Sequence, residues 1–262
     1  MYPLETTEAE RINDMLSYYG LQKWRFVIYR CTYDDDDAWN EFMHHLNARK
    51  DAVLKDVYDD EYLVQHLDWN VQQDSSLAHA TKDQVRARFR AWVATHFRVE
   101  MLTSSEHQHK IEGLLHENAR YKYCIHVDAA SMQSVLKGPP SIEPDLHGVS
   151  YVNLIRADEA WEAWGKKPAQ APATGVEEDS RDEGELEIEG RTSYDVGWMK
   201  VSVDGLVPDV YEILANDQRW DDFYVRQFGN GEINDRDLAS AGNLTSSRFW
   251  SLIDVRTSMQ HF

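Results

Sequence analysis

The run from Trp24 to Trp39, WRFVIYRCTYDDDDAW, constrains the fold of this chain more than any other stretch. Its first half is apolar, β-branched and aromatic, and residues 26–29 continue without alternation, which is typical of a strand covered on both faces. The four aspartates that follow offer an N-cap and favourable charge at the start of a helix. Weaker versions of this strand, Asp-containing turn and helix recur at Tyr121–Met132 and Gly197–Tyr211. The sequence therefore predicts strands and helices that alternate along the chain.

Two helices are marked by capping boxes at their N-terminal ends. Thr7 pairs with Glu10 before an amphipathic stripe, and Thr81 pairs with Gln84 before a longer one. Further strands are predicted at 67–73, 150–156 and, as an edge strand, 223–228.

The alternation of apolar and polar residues in the predicted strands at 67–73, 121–127 and 197–203 indicates a sheet with one polar face. The order of elements favours an α+β sandwich with one twisted sheet, ferredoxin-like in a single or doubled form, and with helices mainly on one face. A doubly wound parallel fold is the alternative, but it would need continuous apolar runs where these strands alternate.

Composition divides the chain into four regions. Residues 1–165 are predicted to form the main α+β domain, and 191–228 to add a strand, a helix and a strand to the same domain. Between them, 166–190 is predicted to be a disordered acidic loop, because the stretch 177–189 holds eight acidic side chains and one Arg. Residues 229–262 form a polar C-terminal tail that we expect to dock on the core through an apolar patch. The patch consists of Phe249, Trp250, Leu252 and Ile253.

The charge of the chain argues against some functions. Lys and Arg number 27 against 46 Asp and Glu, and the resulting formal charge of −19 repels nucleic acid and anionic membranes. Both cysteines lie in predicted strands, and the chain opens without a signal-peptide pattern. No apolar run reaches the ~20 residues of a membrane helix. These features predict a cytoplasmic protein that binds neither nucleic acid nor membranes.

The polar face of the predicted sheet is the strongest candidate for a functional site. Strand alternation directs His126, Asn153, Lys200 and Trp198 to this face, and Arg30 is a further candidate from the first strand. Several donors and cations on one open face of an acidic protein would suit a carboxylate, a phosphate or an enolate. His126 would be the catalytic acid or base, because an ordinary imidazole pKa lies near 6.5, and the cations would hold the ligand. A solvated face, or one that pairs with another subunit, is the alternative.

Other clusters have simpler explanations. Cys31 and Cys124 could supply a nucleophile, but free cysteines in strands are usually buried core residues. The histidines within 107–116 do not match the spacing of a closed zinc site. The acidic runs at 34–37 and 59–61 lack the glycine and the terminal glutamate of an EF-hand loop. We therefore predict no metal site and no cofactor.

The phrases FVIYRCTYDDDDAW, YKYCIHVDA and DVGWMKVSVDGL resemble segments of a widespread, functionally uncharacterised family of fungal proteins. The resemblance covers most of the chain apart from the acidic loop and the C-terminal tail. It implies no activity and assigns no catalytic residue.

These observations favour a binding or interaction module for a partner protein or a small anionic ligand. The alternative is an enzyme of small-molecule metabolism, of the lyase, isomerase or cyclase type, that uses His126 as general acid or base. A homo-oligomer whose sheet faces pair is a third option. The sequence leaves open whether the protein is an enzyme.

Overall fold

The computed structural model describes residues 6–102, 111–139, 148–158, 186–216 and 219–227, together with Glu143, Asp145 and Trp161. The predicted acidic loop up to residue 185 and the predicted C-terminal tail lie outside these residues. In the described part of the chain, no helix combines the length and the apolar character needed to cross a bilayer.

Helices and strands alternate along the described chain, as the sequence predicts. The helices are α1 (Glu8–Tyr19), α2 (Asp36–Ala52), α3 (Glu61–His66), α4 (Lys82–Leu102), α5 (Ile111–Glu117), α6 (Ala119–Lys122) and α7 (Ala129–Lys137). The strands are β1 (Val27–Arg30), β2 (Asn70–Gln72), β3 (Tyr123–Val127), β4 (Tyr151–Arg156) and β5 (Trp198–Ser202). Shorter helical segments lie at Val53–Val57, Ser75–Leu77, Leu206–Val210, Tyr211–Ile213 and Arg219–Phe223.

The helices begin where the capping signals predict. The Thr7 hydroxyl accepts a hydrogen bond from the Glu10 N–H, and the Glu10 carboxylate accepts one from the Thr7 N–H. Thr81 and Gln84 make the same reciprocal pair at the start of α4. Asp35, within the run of aspartates, caps α2. These bonds satisfy N–H groups that the first turn of a helix cannot satisfy by itself.

The strands form one mixed sheet in the order β2-β1-β3-β4-β5. β1 lies parallel to both β2 and β3, whereas β3 with β4 and β4 with β5 are antiparallel. A mixed sheet covered by helices confirms the α+β class. A ferredoxin-like arrangement is not confirmed, because the parallel set β2-β1-β3 resembles part of the doubly wound alternative. β5 pairs with β4, so the chain after the acidic loop completes the same sheet.

One face of the sheet is apolar across its whole width. The register sets Val71, Ile28, Ile125, Leu154 and Met199 side by side on successive strands. Helices α1, α2, α3 and α7 pack on this face, together with the short helices that follow β5. Removal of this surface from water stabilises the fold by roughly 25 cal/mol per Å².

The opposite face carries a second core. Val85, Phe89 and Trp92 of α4 form one buried cluster with Cys124 of β3 and Ile155 of β4. The alternation of the strands predicts an open polar face here, and this prediction is wrong because α4 covers the face. Because α4 is amphipathic, it buries its apolar stripe. Apolar residues of this face, such as Cys124 and Ile155, lie between the polar ones and provide the surface on which the stripe packs. Helices therefore lie on both sides of the sheet.

The chain after β5 differs from the prediction in one element. The predicted edge strand at 223–228 is instead the end of the helix Arg219–Phe223, followed by irregular residues. Trp220 is fully buried and stacks on Tyr123, with ring centroids 5.4 Å apart. Phe223 and Tyr224 follow Trp220 by three and four residues, so all three side chains lie on one face of a helix. This spacing favours a helix over the predicted edge strand.

Candidate functional site

A row of polar side chains crosses the second face of the sheet. The strand register pairs His126 with Asn153 and Asn153 with Lys200. Tyr29 and Gln72 continue the row on β1 and β2. The structure thus brings together three of the residues selected from the sequence. All three are buried, with 3%, 2% and 7% of the surface of His126, Asn153 and Lys200 exposed.

Arg30 does not belong to this row. It pairs with Val127 across the β1–β3 ladder, while Tyr29 is the residue that opposes His126. Because successive residues of a strand point to opposite faces, Arg30 lies on the apolar side of the sheet. There its guanidinium donates a hydrogen bond of 2.5 Å to Asp36, at the start of α2. The expected grouping of Arg30 with His126 is therefore wrong, because the register of β1 could not be read from its continuous apolar run.

Both ring nitrogens of His126 have partners inside the chain. Nε2 lies 2.9 Å from the carbonyl oxygen of Ala80, and since a carbonyl only accepts, Nε2 carries the proton. Nδ1 is then an acceptor, and it lies 3.4 Å from Nδ2 of Asn153. Burial lowers the pKa of His126, although the hydrogen bond to Ala80 and the charge of Asp128 oppose this shift. The imidazole is therefore neutral at pH 7.

Asp128 connects the polar row to the surface. Its carboxylate accepts hydrogen bonds from Asn153 Nδ2 at 3.2 Å and, as the N-cap of α7, from the Ser131 N–H at 2.8 Å. Burial raises the pKa of Asp128, but the hydrogen bonds from Ser131 and the charge of Lys82 act in the opposite direction, and the pKa is lowered overall. The side chain is 37% exposed, so an ionised carboxylate marks the edge of the cluster.

Lys82, the first residue of α4, completes the cluster and was missed in the sequence. Its ammonium lies 3.8 Å from the ring centroid of Trp198 and 2.5 Å from Oε1 of Glu189. Trp198 lies on the same face of β5 as Lys200, two residues earlier. The Lys82 side chain is 9% exposed, whereas that of Glu189 is 47% exposed. Lys82 directly follows the capping residue Thr81, so the local sequence indicated the start of a helix. It contained no signal that Lys82 contacts Trp198 of β5.

Glu189 lies at the tip of a two-residue hairpin turn. Ile188 and Arg191 exchange backbone hydrogen bonds of 2.9 and 3.0 Å across this turn. Glu189 and Gly190 both have positive φ angles, +50° and +83°. The left-handed conformation costs a residue with a Cβ about 1 kcal/mol. Arg191 also pairs with Asp83 of α4 at 3.2 Å, so the turn contacts α4 at two points.

Two buried lysines and two partly exposed carboxylates set the charge of the cluster. The ammonium of Lys200 lies 4.7 Å from the ring centroid of Tyr151, as that of Lys82 lies over Trp198. Asp128 and Glu189 supply the negative charges at the edge. The carboxylate of Glu189 neutralises the ammonium of Lys82.

The other residues selected from the sequence form no second site in the described structure. Cys31 and Cys124 are buried and free, and burial raises the pKa of the Cys31 thiol to about 12. Burial also raises the pKa of Cys124. Neither is therefore a thiolate at neutral pH. Among the described residues, no three His, Cys, Asp or Glu side chains are grouped so as to hold a metal, and His107 and His109 lie outside them.

The fold and the cluster together define an α+β protein with a buried polar row bounded by lysines and carboxylates. No protein-family model, curated protein or solved structure matches this chain. The resemblance to the fungal proteins therefore stays a prediction, and the function has to be argued from the geometry of the cluster.

The stability of the protein is expected to fall as the pH drops below about 6.5. The pKa of His126 is lower in the folded chain than in the unfolded chain, so the unfolded chain takes up the proton first. The free energy of unfolding then decreases with falling pH, since the unfolded state binds more protons. Chemical denaturation at a series of pH values measures this slope. His126→Gln should flatten this dependence on pH, because it removes the titrating group. An unchanged slope in His126→Gln would contradict the assignment.

Proposed function

We propose that the protein is a binding module for a small anionic ligand with one carboxylate, held by Lys82 on the second face of the sheet. The observation that carries the proposal is the position of the Lys82 ammonium. It is buried against the Trp198 ring and is neutralised by the carboxylate of Glu189, which is half-exposed at the tip of a turn. Glu189 thus occupies the place that the carboxylate of a ligand would take.

The charge of the cluster supports a ligand with a single negative charge. Without Glu189, the Lys82 ammonium would be a buried positive charge that has lost this carboxylate. One carboxylate restores neutrality, and an ion pair in a buried place is stronger than the same pair in water. The Trp198 ring offers apolar surface to the carbon part of the ligand.

The geometry of Glu189 supports its displacement. Its φ of +50° is unfavourable for a residue with a Cβ, so release of the turn relieves part of this cost. Beneath it, His126 and Asn153 are held by each other, by Ala80 and by Asp128. We assign them a positioning role, in which they keep the floor of the site rigid.

An enzyme that uses His126 as general acid or base has less support. Nε2 is engaged with the carbonyl of Ala80, and Nδ1 faces the amide of Asn153. A proton acceptor has to reach the substrate directly or through one water molecule. Binding without chemistry requires no such access to the imidazole. The predicted cytoplasmic location stays part of the proposal.

Removal of the Glu189 charge is expected to tighten the binding of acetate by about tenfold. In the wild type, acetate has to displace the Glu189 carboxylate from Lys82, and this charge-assisted contact is worth about 1.4 kcal/mol. The comparison is Glu189→Gln against the wild type. Chemical-shift titration with acetate measures the affinity, and acetamide, which has nearly the same shape without the charge, should not bind.

Two variants separate this effect from a general change in charge. Asp222→Asn also frees a cation, Arg219, from an ion pair of 3.7 Å, but both side chains are well exposed, at 59% and 71%. Its affinity for acetate should stay at the wild-type value. Lys82→Met combined with Glu189→Gln should abolish the gain. Equal tightening in Asp222→Asn, or tightening that survives the loss of Lys82, would refute the proposed site.

A further inference from the structure

A cleft of about 380 Å³ lies between α1, the end of α5 and residues 211–215. Ile12, Met15 and Tyr211 give it an apolar lining. Tyr18 also lines the cleft, and 55% of its surface is exposed. A concave site of this size with an apolar lining accommodates one or two large side chains.

Carboxylates dominate the charged lining of the cleft. The charged side chains of the lining are those of Asp14, Glu117 and Glu212 and, as the one cation among the lining residues, Arg11. Arg11 donates a hydrogen bond of 2.6 Å to Glu212, and the Tyr19 hydroxyl donates one to Glu117. Three negative charges against one positive charge leave the lining at −2. An occupant that complements this cleft therefore combines a large apolar side chain with positive charge.

The chain itself contains a segment with this chemistry. Residues 248–256 read RFWSLIDVR, an apolar and aromatic run with an arginine at each end and one aspartate. Its formal charge is +1, in a protein whose total charge is −19. The segment lies outside the described residues. Phe249 and Trp250 would form an exposed apolar patch if nothing covered them.

The length of the chain allows this segment to reach the cleft. Residues 228–247 join Gln227, the last described residue, to Arg248. At about 3.3 Å per residue, a fully extended chain of this length spans roughly 65 Å. A folded protein of this size has a radius of gyration of about 18 Å, which corresponds to a diameter of roughly 47 Å for a sphere. The connection is therefore longer than the diameter of the folded protein.

We infer that the cleft is the docking site for the segment Arg248–Arg256 of the same chain. An aromatic side chain of the segment fills the apolar lining, and its arginines face the carboxylates of Asp14 and Glu117. The exposed ring of Tyr18 adds a cation–π contact. The docked segment neutralises part of the acidic lining and removes its own apolar residues from water.

The inference is tested in the full-length protein with a photo-crosslinking residue, p-benzoyl-phenylalanine, in place of Tyr18. Mass spectrometry of the irradiated protein should find crosslinks from position 18 to residues 246–258. Arg248→Glu with Arg256→Glu should lower their yield about fivefold, as expected for the loss of two ion pairs of about 0.5 kcal/mol each. Arg236→Glu, which changes the tail outside the segment, should leave the yield unchanged.

Two controls make the result decisive. The same probe at Tyr62 of α3, which is 51% exposed, should not crosslink to the segment. When a mixture of ¹⁵N-labelled and unlabelled protein is irradiated, the two peptides of each crosslink should be either both labelled or both unlabelled. Mixed-isotope crosslinks would show that a second copy fills the cleft and would overturn the inference. Crosslinks from position 18 to other regions, or none, would also overturn it.

Discussion

His126→Ala is expected to lower the free energy of unfolding by about 2–4 kcal/mol. The imidazole is 3% exposed, so its removal leaves a cavity beneath the segment that precedes α4. It also leaves the carbonyl of Ala80 and the amide of Asn153 without the partners that they have at 2.9 and 3.4 Å. Urea denaturation of the variant and the wild type measures the loss.

The control for this prediction is an exposed histidine on a helix away from the polar row. His44 of α2 is exposed, so His44→Ala should change stability by less than about 0.5 kcal/mol. His126→Gln keeps a donor for Ala80 and should recover part of the loss. Full stability of His126→Ala would mean that the imidazole faces solvent, and the buried polar row would then be wrong.

Arg49→Met is expected to have an effect of similar or larger size, about 3–5 kcal/mol. The Arg49 side chain is 3% exposed and pairs with Asp204, which follows β5. It also donates hydrogen bonds of 2.9 Å to the carbonyl of Pro139 and 3.3 Å to that of Glu143. Burial already raises the pKa of Asp204, while the charge of Arg49 opposes that shift. Without Arg49, the carboxylate of Asp204, whose side chain is only 23% exposed, loses the cation that it contacts.

A second substitution separates the lost ion pair from lost packing. Asp204→Asn removes the charge but keeps an oxygen for the Asp145 N–H, which lies 2.6 Å away. Arg49→Met with Asp204→Asn should therefore be more stable than Arg49→Met alone. Lys55→Met breaks a surface pair of 3.3 Å with Asp51 and should cost less than about 1 kcal/mol. Equal losses in Arg49→Met and Lys55→Met would contradict the assignment of a buried ion pair.

The expected result for His126 also bears on function. A catalytic imidazole on an open face would be removed with little cost in stability, because it would have few contacts to lose. The geometry instead favours a supporting role for His126, beneath a site whose charge comes from Lys82 and Glu189. Loss of stability in His126→Ala together with tighter acetate binding in Glu189→Gln would fit this division of roles.

Local signals explain which elements could be predicted. The pairs Thr7 with Glu10 and Thr81 with Gln84 define helix starts through hydrogen bonds over three residues. The alternation in β3 and β5 placed His126 and Lys200 on one face, because the side-chain period of a strand is two, and the same period applied to β4 added Asn153. β1 has no such alternation, so the side-chain period could not show on which face of the sheet Arg30 lies.

Contacts between distant residues explain what could not be predicted. Lys82 and Glu189 are 107 positions apart and meet only because α4 and a turn before β5 lie on the same face of the sheet. The ring of Trp198 beneath Lys82 comes from a third element. No pattern in a window of a few residues records such an arrangement.

The sequence by itself determined where most helices and strands begin, the α+β class, and which side chains of the alternating strands share a face. It could do so because hydrogen bonds between near neighbours and the periods of helix and strand are local. The tertiary structure alone decided that α4 covers the polar face, that Tyr29 rather than Arg30 opposes His126, and that Lys82 meets Glu189. These outcomes depend on burial of apolar surface between elements far apart in the chain, which no local pattern specifies.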